Sequence, residues 1–299
     1  MHIPDGFLSP PVWATLDVVS IPAIGWMASR ARTESDDRKI PLLGVMGAFV
    51  FAAQMINFPV GLGTSGHLVG GALLAIVLGP AAASVVMTAI LALQAFVFQD
   101  GGIVVMGANV FNMALAGVGA GYLPYKLWGA RWRSAAIFAG GALSVMVSAC
   151  LALAQLLISG VKMPPQVLWV SLALFLVSAL IEGAITLSAV QTIERLRAGT
   201  VPQPQGRGSR LIGTIAIAAA LLAVFGVLVA SAAPDGLQQL AHKLGLTEQA
   251  LWIFSPLAGY QIPAFSSEWM RRAAAGLLGI ALIYLLCLAT GRLLARRSA

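Results

Sequence analysis

GHLVGGALLAIVLGPAAASVVMTAILALQAFVF, residues 66–98, contains no Asp, Glu, Lys or Arg, and how it is read decides how the whole chain is organised. A single helix through it would be about 50 Å long at 1.5 Å per residue, whereas the hydrocarbon layer of a bilayer is only about 30 Å thick. Gly79-Pro80 interrupts it near the middle, where proline removes a backbone donor and its ring clashes with the preceding turn. The stretch therefore reads as two short membrane passes joined at Leu78-Gly79-Pro80.

Working outward, further apolar runs cover about 11–28, 41–58, 104–123, 134–159, 167–192, 211–232 and 272–290. The chain of 299 residues is 59% hydrophobic and only 10% charged, with a mean hydropathy of +0.89, far from the composition of a soluble globular domain. It reads as an all-α, polytopic helical membrane protein. The net charge of +7 does not point to nucleic acid, because Lys and Arg sit in short clusters between apolar runs, where membrane orientation accounts for them. Cys150 and Cys287 each lie alone in an apolar run and read as buried small hydrophobes, so neither a disulfide framework nor a thiolate metal site is expected.

Charge asymmetry sets the topology. With the N-terminus outside and nine passes, the cytoplasmic side holds Arg30, Arg32, Arg38, Lys39, then Lys126, Arg131, Arg133, then Arg195, Arg197, Arg207, Arg210, and finally Arg292, Arg296 and Arg297. That places fourteen of the 18 basic residues inside, and counting 66–98 as one pass would divide the clusters across the membrane. RLRAGTVPQPQGRGSR at 195–210 is polar and proline-broken and reads as a linker. The chain thus divides into a seven-pass unit over 1–197, a cytoplasmic linker over 198–210, and a two-pass unit over 211–299 whose outer loop, 232–271, contains PDGL at 234–237. The C-terminus is expected in the cytoplasm.

The opening residues, MHIPDGFLSP, lack the basic n-region and cleavage site of a secretory signal, so the N-terminus is expected to be retained. Histidine at position 2 then has a particular chemistry. The Met1 amine, the deprotonated amide nitrogen of His2 and its imidazole Nδ1 can close fused five- and six-membered chelate rings around one metal. Three nitrogens held nearly in a plane suit Ni(II) or Cu(II), whereas Zn(II) prefers a tetrahedron. The fourth donor could be His67, in GLGTSGHLVGG on the same side as Met1. Gly61, Gly63, Gly66, Gly70 and Gly71 permit the tight turns and close approach that tucking a chain terminus among helices requires. The competing reading of either histidine is a hydrogen-bonded structural residue.

Polar groups inside apolar runs are costly in hydrocarbon. Asp17, Gln54, Asn57, Gln94, Asn109, Asn112 and Glu182 are candidates, with interhelical hydrogen bonding as the favoured role for most and Asp17 and Glu182 expected to be paired or protonated. Asp100-Gly101-Gly102 reads as a turn between spans.

MHIPDGFLS at 1–9, VGLGTSGHLVGG at 60–71, LGP at 78–80, QAFVFQDGG at 94–102 and GANVFNM at 107–113 resemble the CbiM/NikM substrate-binding membrane components of energy-coupling-factor (ECF) nickel and cobalt transporters, over residues 1 to about 197. The two spans around SAAPDGLQQLAHKLG resemble the small CbiN/NikN component, with Gln238 where that family has an acidic residue after PDGL. The resemblance implies metal held by Met1, His2 and His67, with Met1 retained. It also implies Ni(II) or Co(II) as transported substrate, a CbiQ/NikQ-type transmembrane coupling subunit, CbiO/NikO-type ATP-binding-cassette ATPases, and residence in the cytoplasmic (inner) membrane of a prokaryote. Fusion of the two units and the planar chelate lean towards nickel, with cobalt for cobalamin synthesis close behind.

The chain has no GxxxxGK[ST] loop, so ATP hydrolysis is expected in a partner. An intramembrane metal-dependent enzyme would need a ligand cluster with a general base, and no HExxH or paired-carboxylate motif occurs in the spans. An assembly subunit working through the PDGL loop is the other alternative. Whether His242, in that loop, meets the ion is left open at this level.

Overall fold

The computed structural model describes residues 1–34, 40–198, 207–246, 255 and 257–295. Its helices are α1 (Pro10–Glu34), α2 (Ile40–Gln54), α3 (Gly71–Leu78), α4 (Pro80–Leu93), α5 (Met106–Asn109), α6 (Val118–Trp128), α7 (Arg133–Ile158), α8 (Pro165–Ala198), α9 (Arg207–Val229), α10 (Gly236–Leu244) and α11 (Glu268–Ala295). Wide π turns at Gln94–Phe98 and Val110–Gly117 extend α4 and join α5 to α6.

Among the described residues six helices are long and apolar enough to cross a membrane: Pro10–Thr33, Pro80–Phe98, Arg133–Ile158, Pro165–Leu196, Arg210–Val229 and Glu268–Leu293. The expected nine passes are thus not nine helices of membrane length. The break at Leu78-Gly79-Pro80 is present, with Gly79 at φ 89° where a side chain would be strained, but the limb before it is an eight-residue helix about 12 Å long. Ile40–Gln54 is also short. Residues 199–206 of the expected linker lie outside the described residues, and its two ends continue α8 and α9 as helix.

The fold also departs from all-α. Asn57–Gly61 (β1) and Thr64–His67 (β2) form an antiparallel hairpin, with Asn57 opposite His67. Its tip, Gly61-Leu62-Gly63, has positive φ at all three positions, which reverses the chain between the apolar runs expected at 41–58 and 66–98. A lone two-stranded hairpin is marginal. Here the C-terminal unit supports it: Ser231 N–H donates to Asn57 O at 2.7 Å, Ser65 N–H to Pro234 O at 2.8 Å, and Ser65 Oγ to Ala233 O at 2.7 Å.

The core lies between α2, α3, α4 and the π turns, around fully buried Met46, Phe51, Leu73, Leu74, Met87, Ile90 and Phe98. Helices α9 and α11 pack on α2, so the C-terminal unit is built into the bundle. Val18, Ile21, Trp169, Ile217 and Val229 are exposed on the outer faces of their helices, as a lipid-facing surface requires. Cys287 is buried as expected, but Cys150 is exposed on α7. An apolar run cannot distinguish a core position from a lipid-facing one, because lipid tails are as apolar as the core.

The in-span polar groups mostly join helices. Asn112 Nδ2 donates to Gln155 Oε1 at 2.9 Å and Gln155 Nε2 returns a bond at 2.6 Å; Gln94 Nε2 donates to Gln54 Oε1 at 2.9 Å. Asp17 Oδ1 accepts from Gly107 N–H at 2.6 Å, and Ser20 Oγ donates to Gly107 O at 2.8 Å, which seats α1 directly on α5. A Cβ at Gly107 would stand 2.4 Å from Asp17 Cα and 2.6 Å from its N, so α1 would have to move. Gly107→Ala is expected to destabilise the purified protein by about 1–3 kcal/mol, the usual cost of overpacking, read as a lower melting temperature in detergent. An unchanged melting curve would show that α1 is not held there.

Candidate metal centre

The N-terminal segment threads into the bundle because its backbone and side chains are met on both sides. Ile3 is fully buried; its N–H donates to Asn109 Oδ1 at 2.8 Å, while Asn109 Nδ2 and Gly102 N–H both donate to Ile3 O at 3.0 Å. The Asp5 carboxylate accepts from Ile103, Val104 and Val105 N–H at 2.9, 2.9 and 3.2 Å, gathering the orphan donors ahead of α5. Gly102 must lack a side chain, since a Cβ there would meet Asp5 Oδ1 at 2.3 Å and Asp5 N at 2.7 Å. Asn109, a candidate for interhelical bonding, instead holds this terminal strand.

So pinned, Met1 and His2 are buried beside His67. The Met1 amine contacts His67 Nε2 and donates to Asp235 Oδ2 at 3.0 Å; His67 Nε2 is 3.9 Å from the same oxygen. His67 Nδ1 donates to Leu68 O at 3.0 Å, since a carbonyl can only accept, so the Nε2 lone pair faces the amine. Burial, the Met1 ammonium and His2 all push the His67 pKa down, which keeps the ring neutral near pH 7.

The rings of His2 and His67 stand 5.3 Å apart. His2 Nδ1, the atom the chelate would use, faces Asp100 Oδ1 at 2.9 Å, and His2 Nε2 is buried without a hydrogen-bond partner among the described residues. Tyr260 donates to Asp100 Oδ2 at 2.5 Å and stacks on Phe98, ring centroids 4.6 Å apart. Burial works against ionisation of Asp100, but His2, by charge and hydrogen bond, and the Tyr260 hydroxyl outweigh it and hold its carboxyl well below the usual range. Asp235 is held low too: against burial, the Met1 ammonium beside it favours its ionised form. Two carboxylates thus flank the amine and the imidazoles.

Above them lies a chamber of about 350 Å³ lined by Gln54, Asn57, His67, Asp100, Asp235 and Tyr260, with walls from both units. Among the described residues no three His, Cys, Asp or Glu side chains form a ready-made metal group, so a centre here depends on backbone nitrogen as well. His242 is exposed on α10.

Sequence reading missed Asp100, Asp235 and Tyr260 as neighbours of the terminus. The first was read only as a turn, the second only as part of a motif, and Tyr260 carried no signal. Gln238 has a local structural role: Asp235 caps α10, accepting from Leu237 and Gln238 N–H, and the Gln238 side chain accepts from Asp235 N–H at 3.1 Å, so the amide completes the capping box.

Residues 2–200 match the profile of CbiM, described as a cobalt uptake substrate-specific transmembrane region. The chain belongs to the CbiM family. Residues 209–296 of this CbiM-family chain also match the PDGLE domain. The chain is 34% identical over 300 residues, 98% of both chains, to a putative fused nickel transport protein NikMN of Archaeoglobus fulgidus. It is 37% identical to a cobalt transport protein CbiM of Acetoanaerobium sticklandii over 151 residues, half of this chain and 62% of that one. A crystal structure of a truncated transition metal transporter superposes with a TM-score of 0.58 at 30% identity, covering 65% of this CbiM-family chain and 99% of the other.

Proposed function

We propose that the chain is the substrate-capturing membrane subunit of an ECF-type importer for Ni(II), and that Met1, His2 and His67 are the ligands. The observation that carries this is the contact of the buried Met1 amine with the lone-pair nitrogen of His67, beside His2. Loading requires the His2 ring to turn so that Nδ1 leaves Asp100, and the amine and His67 Nε2, already in contact, take adjacent positions on the ion, where donors at bond lengths near 2.0–2.1 Å stand about 3 Å apart. The amine, amide and imidazole then close the planar chelate with His67 as fourth nitrogen, a set that suits nickel. The fused nickel relative over the whole chain supports the same choice.

The fold then acts as carrier. In this reading the short α3 limb counts as a pass, giving seven plus two, with Met1 outside and the basic clusters in the cytoplasm. Hydrolysis of ATP falls to CbiO/NikO-type ATPases through a CbiQ/NikQ-type coupling subunit in the inner membrane of a prokaryote. Residues 1–197 capture the ion and 211–299 cover the site. Cobalt is the second reading, favoured by the family description and the CbiM relative.

The test is calorimetric titration of the purified, untagged chain with Ni(II) and Co(II), with His2→Ala and His67→Ala alongside. One-to-one nickel binding, tighter than cobalt and lost in both variants, is expected. Cobalt binding more tightly would reverse the metal assignment, and binding that survives either substitution would remove the site.

A further inference from the structure

Asp235 splits its two carboxylate oxygens between two tasks. Oδ1 accepts from Leu237 and Gln238 N–H, both at 2.8 Å, and so caps α10. Oδ2 is left for the metal centre, 3.0 Å from the Met1 amine and 3.9 Å from His67 Nε2. The position is set from the ligand side. Ser65, two residues before His67 on β2, bridges to Asp235 through the backbone, and its N–H and Oγ bond Pro234 O and Ala233 O. Strand, histidine and carboxylate thus pack as one unit, although His67 and Asp235 come from different units of the chain.

A divalent ion bound by one deprotonated amide and three neutral nitrogens keeps a formal charge of +1, and burying an unpaired charge is costly. The Asp235 side chain is only 13% exposed, so its negative charge is close and weakly screened. Geometry agrees. Donors in adjacent positions on a first-row ion lie about 3 Å apart, which is the separation between Oδ2 and the amine.

Resting on the ligand set proposed above, we propose that Asp235 is a fifth donor to the captured ion, so that the C-terminal unit contributes an oxygen to a nitrogen site built by the N-terminal unit. Its charge offsets that of the chelate, and its presence turns a planar four-nitrogen site into a five-coordinate one.

The test uses the full-length chain with its authentic N-terminus, loaded with Ni(II). X-ray absorption at the nickel edge of the wild-type protein is expected to show five nitrogen or oxygen neighbours and to lack the sharp pre-edge peak of a planar four-coordinate ion. Asp235→Asn, which keeps an oxygen to cap α10, is expected to lose the oxygen, to give the spectrum of a planar four-coordinate ion, and to bind nickel about 10–100-fold more weakly. A wild-type spectrum with the planar four-coordinate pre-edge peak, or an Asn variant with unchanged or tighter affinity, would overturn the assignment. His2→Ala and His67→Ala in the same series separate the two claims. If they retain nickel, the ligand set itself is wrong; if they lose it while Asp235→Asn binds as wild type, only the fifth donor is removed.

Discussion

Placing a short extension such as Gly-Ser-Ser-Gly before Met1 is expected to weaken nickel binding by more than about 100-fold. The extension converts the terminal amine into an amide, so the proposed five-membered chelate ring loses its first donor. It also removes the cation that now donates to Asp235, and there is little room for it, because Met1 is only 9% exposed and its nitrogen is closed in by His67 and Asp235. The magnitude is a lower bound, since loss of an outer partner alone costs a metal site roughly 10–100-fold. Equilibrium dialysis of extended and authentic chains against Ni(II) checks it. Equal affinity would mean that the terminus is not a ligand, whatever its position beside His67.

The second large effect is expected at Glu182, which lies fully buried in α8 and contacts no ion in the proposed site. Its Oε2 accepts from Val69 N–H at 2.8 Å and its Oε1 from Gly70 N–H at 2.7 Å, holding the segment between His67 and the start of α3. Glu182→Ala leaves two buried backbone donors without acceptors at about 1–3 kcal/mol each, a loss of roughly 2–6 kcal/mol before any cavity term. Nickel affinity is expected to fall as well, because the backbone that aims His67 loses its anchor. Glu182→Gln keeps one acceptor oxygen and should lose less. Thermal unfolding in detergent reads the first effect and dialysis the second; an Ala variant that melts like the wild type would show that the carboxylate does not hold this segment.

The same residue shows how far polar groups in apolar runs can be read. Their presence within spans marks Asp17, Gln54, Gln94, Asn112 and Glu182 as paired, because hydrocarbon offers no alternative partner. It does not say with what. Gln54 meets Gln94 and Asn112 meets Gln155, helix to helix, whereas Asp17 and Glu182 accept backbone N–H groups and Asn109 binds the chain terminus. The hairpin at 57–67 was hidden for a related reason. The glycines between the two apolar runs permit a turn without saying what it pairs with, and only the positive φ at Gly61, Leu62 and Gly63, with edge bonds from 231–234, makes this segment a strand pair.

Sequence alone determined the membrane character, the break at Gly79-Pro80, and the pairing of an N-terminal His2 with His67 as candidate nitrogen donors. These are properties of composition, of proline's missing donor and of chelate-ring size, all of them local. Only the tertiary structure decided that the Asp100 carboxylate, 98 positions away, meets His2, that Asp235, 234 positions away, meets the Met1 amine, and that Tyr260 locks Asp100 in place. The Asp235 and Tyr260 contacts depend on how α9, α11 and the described residues between them dock on α2 and the hairpin, and the His2–Asp100 contact on how the N-terminal segment threads against 100–102; long-range docking of either kind leaves no periodicity or spacing in the chain from which it could be read.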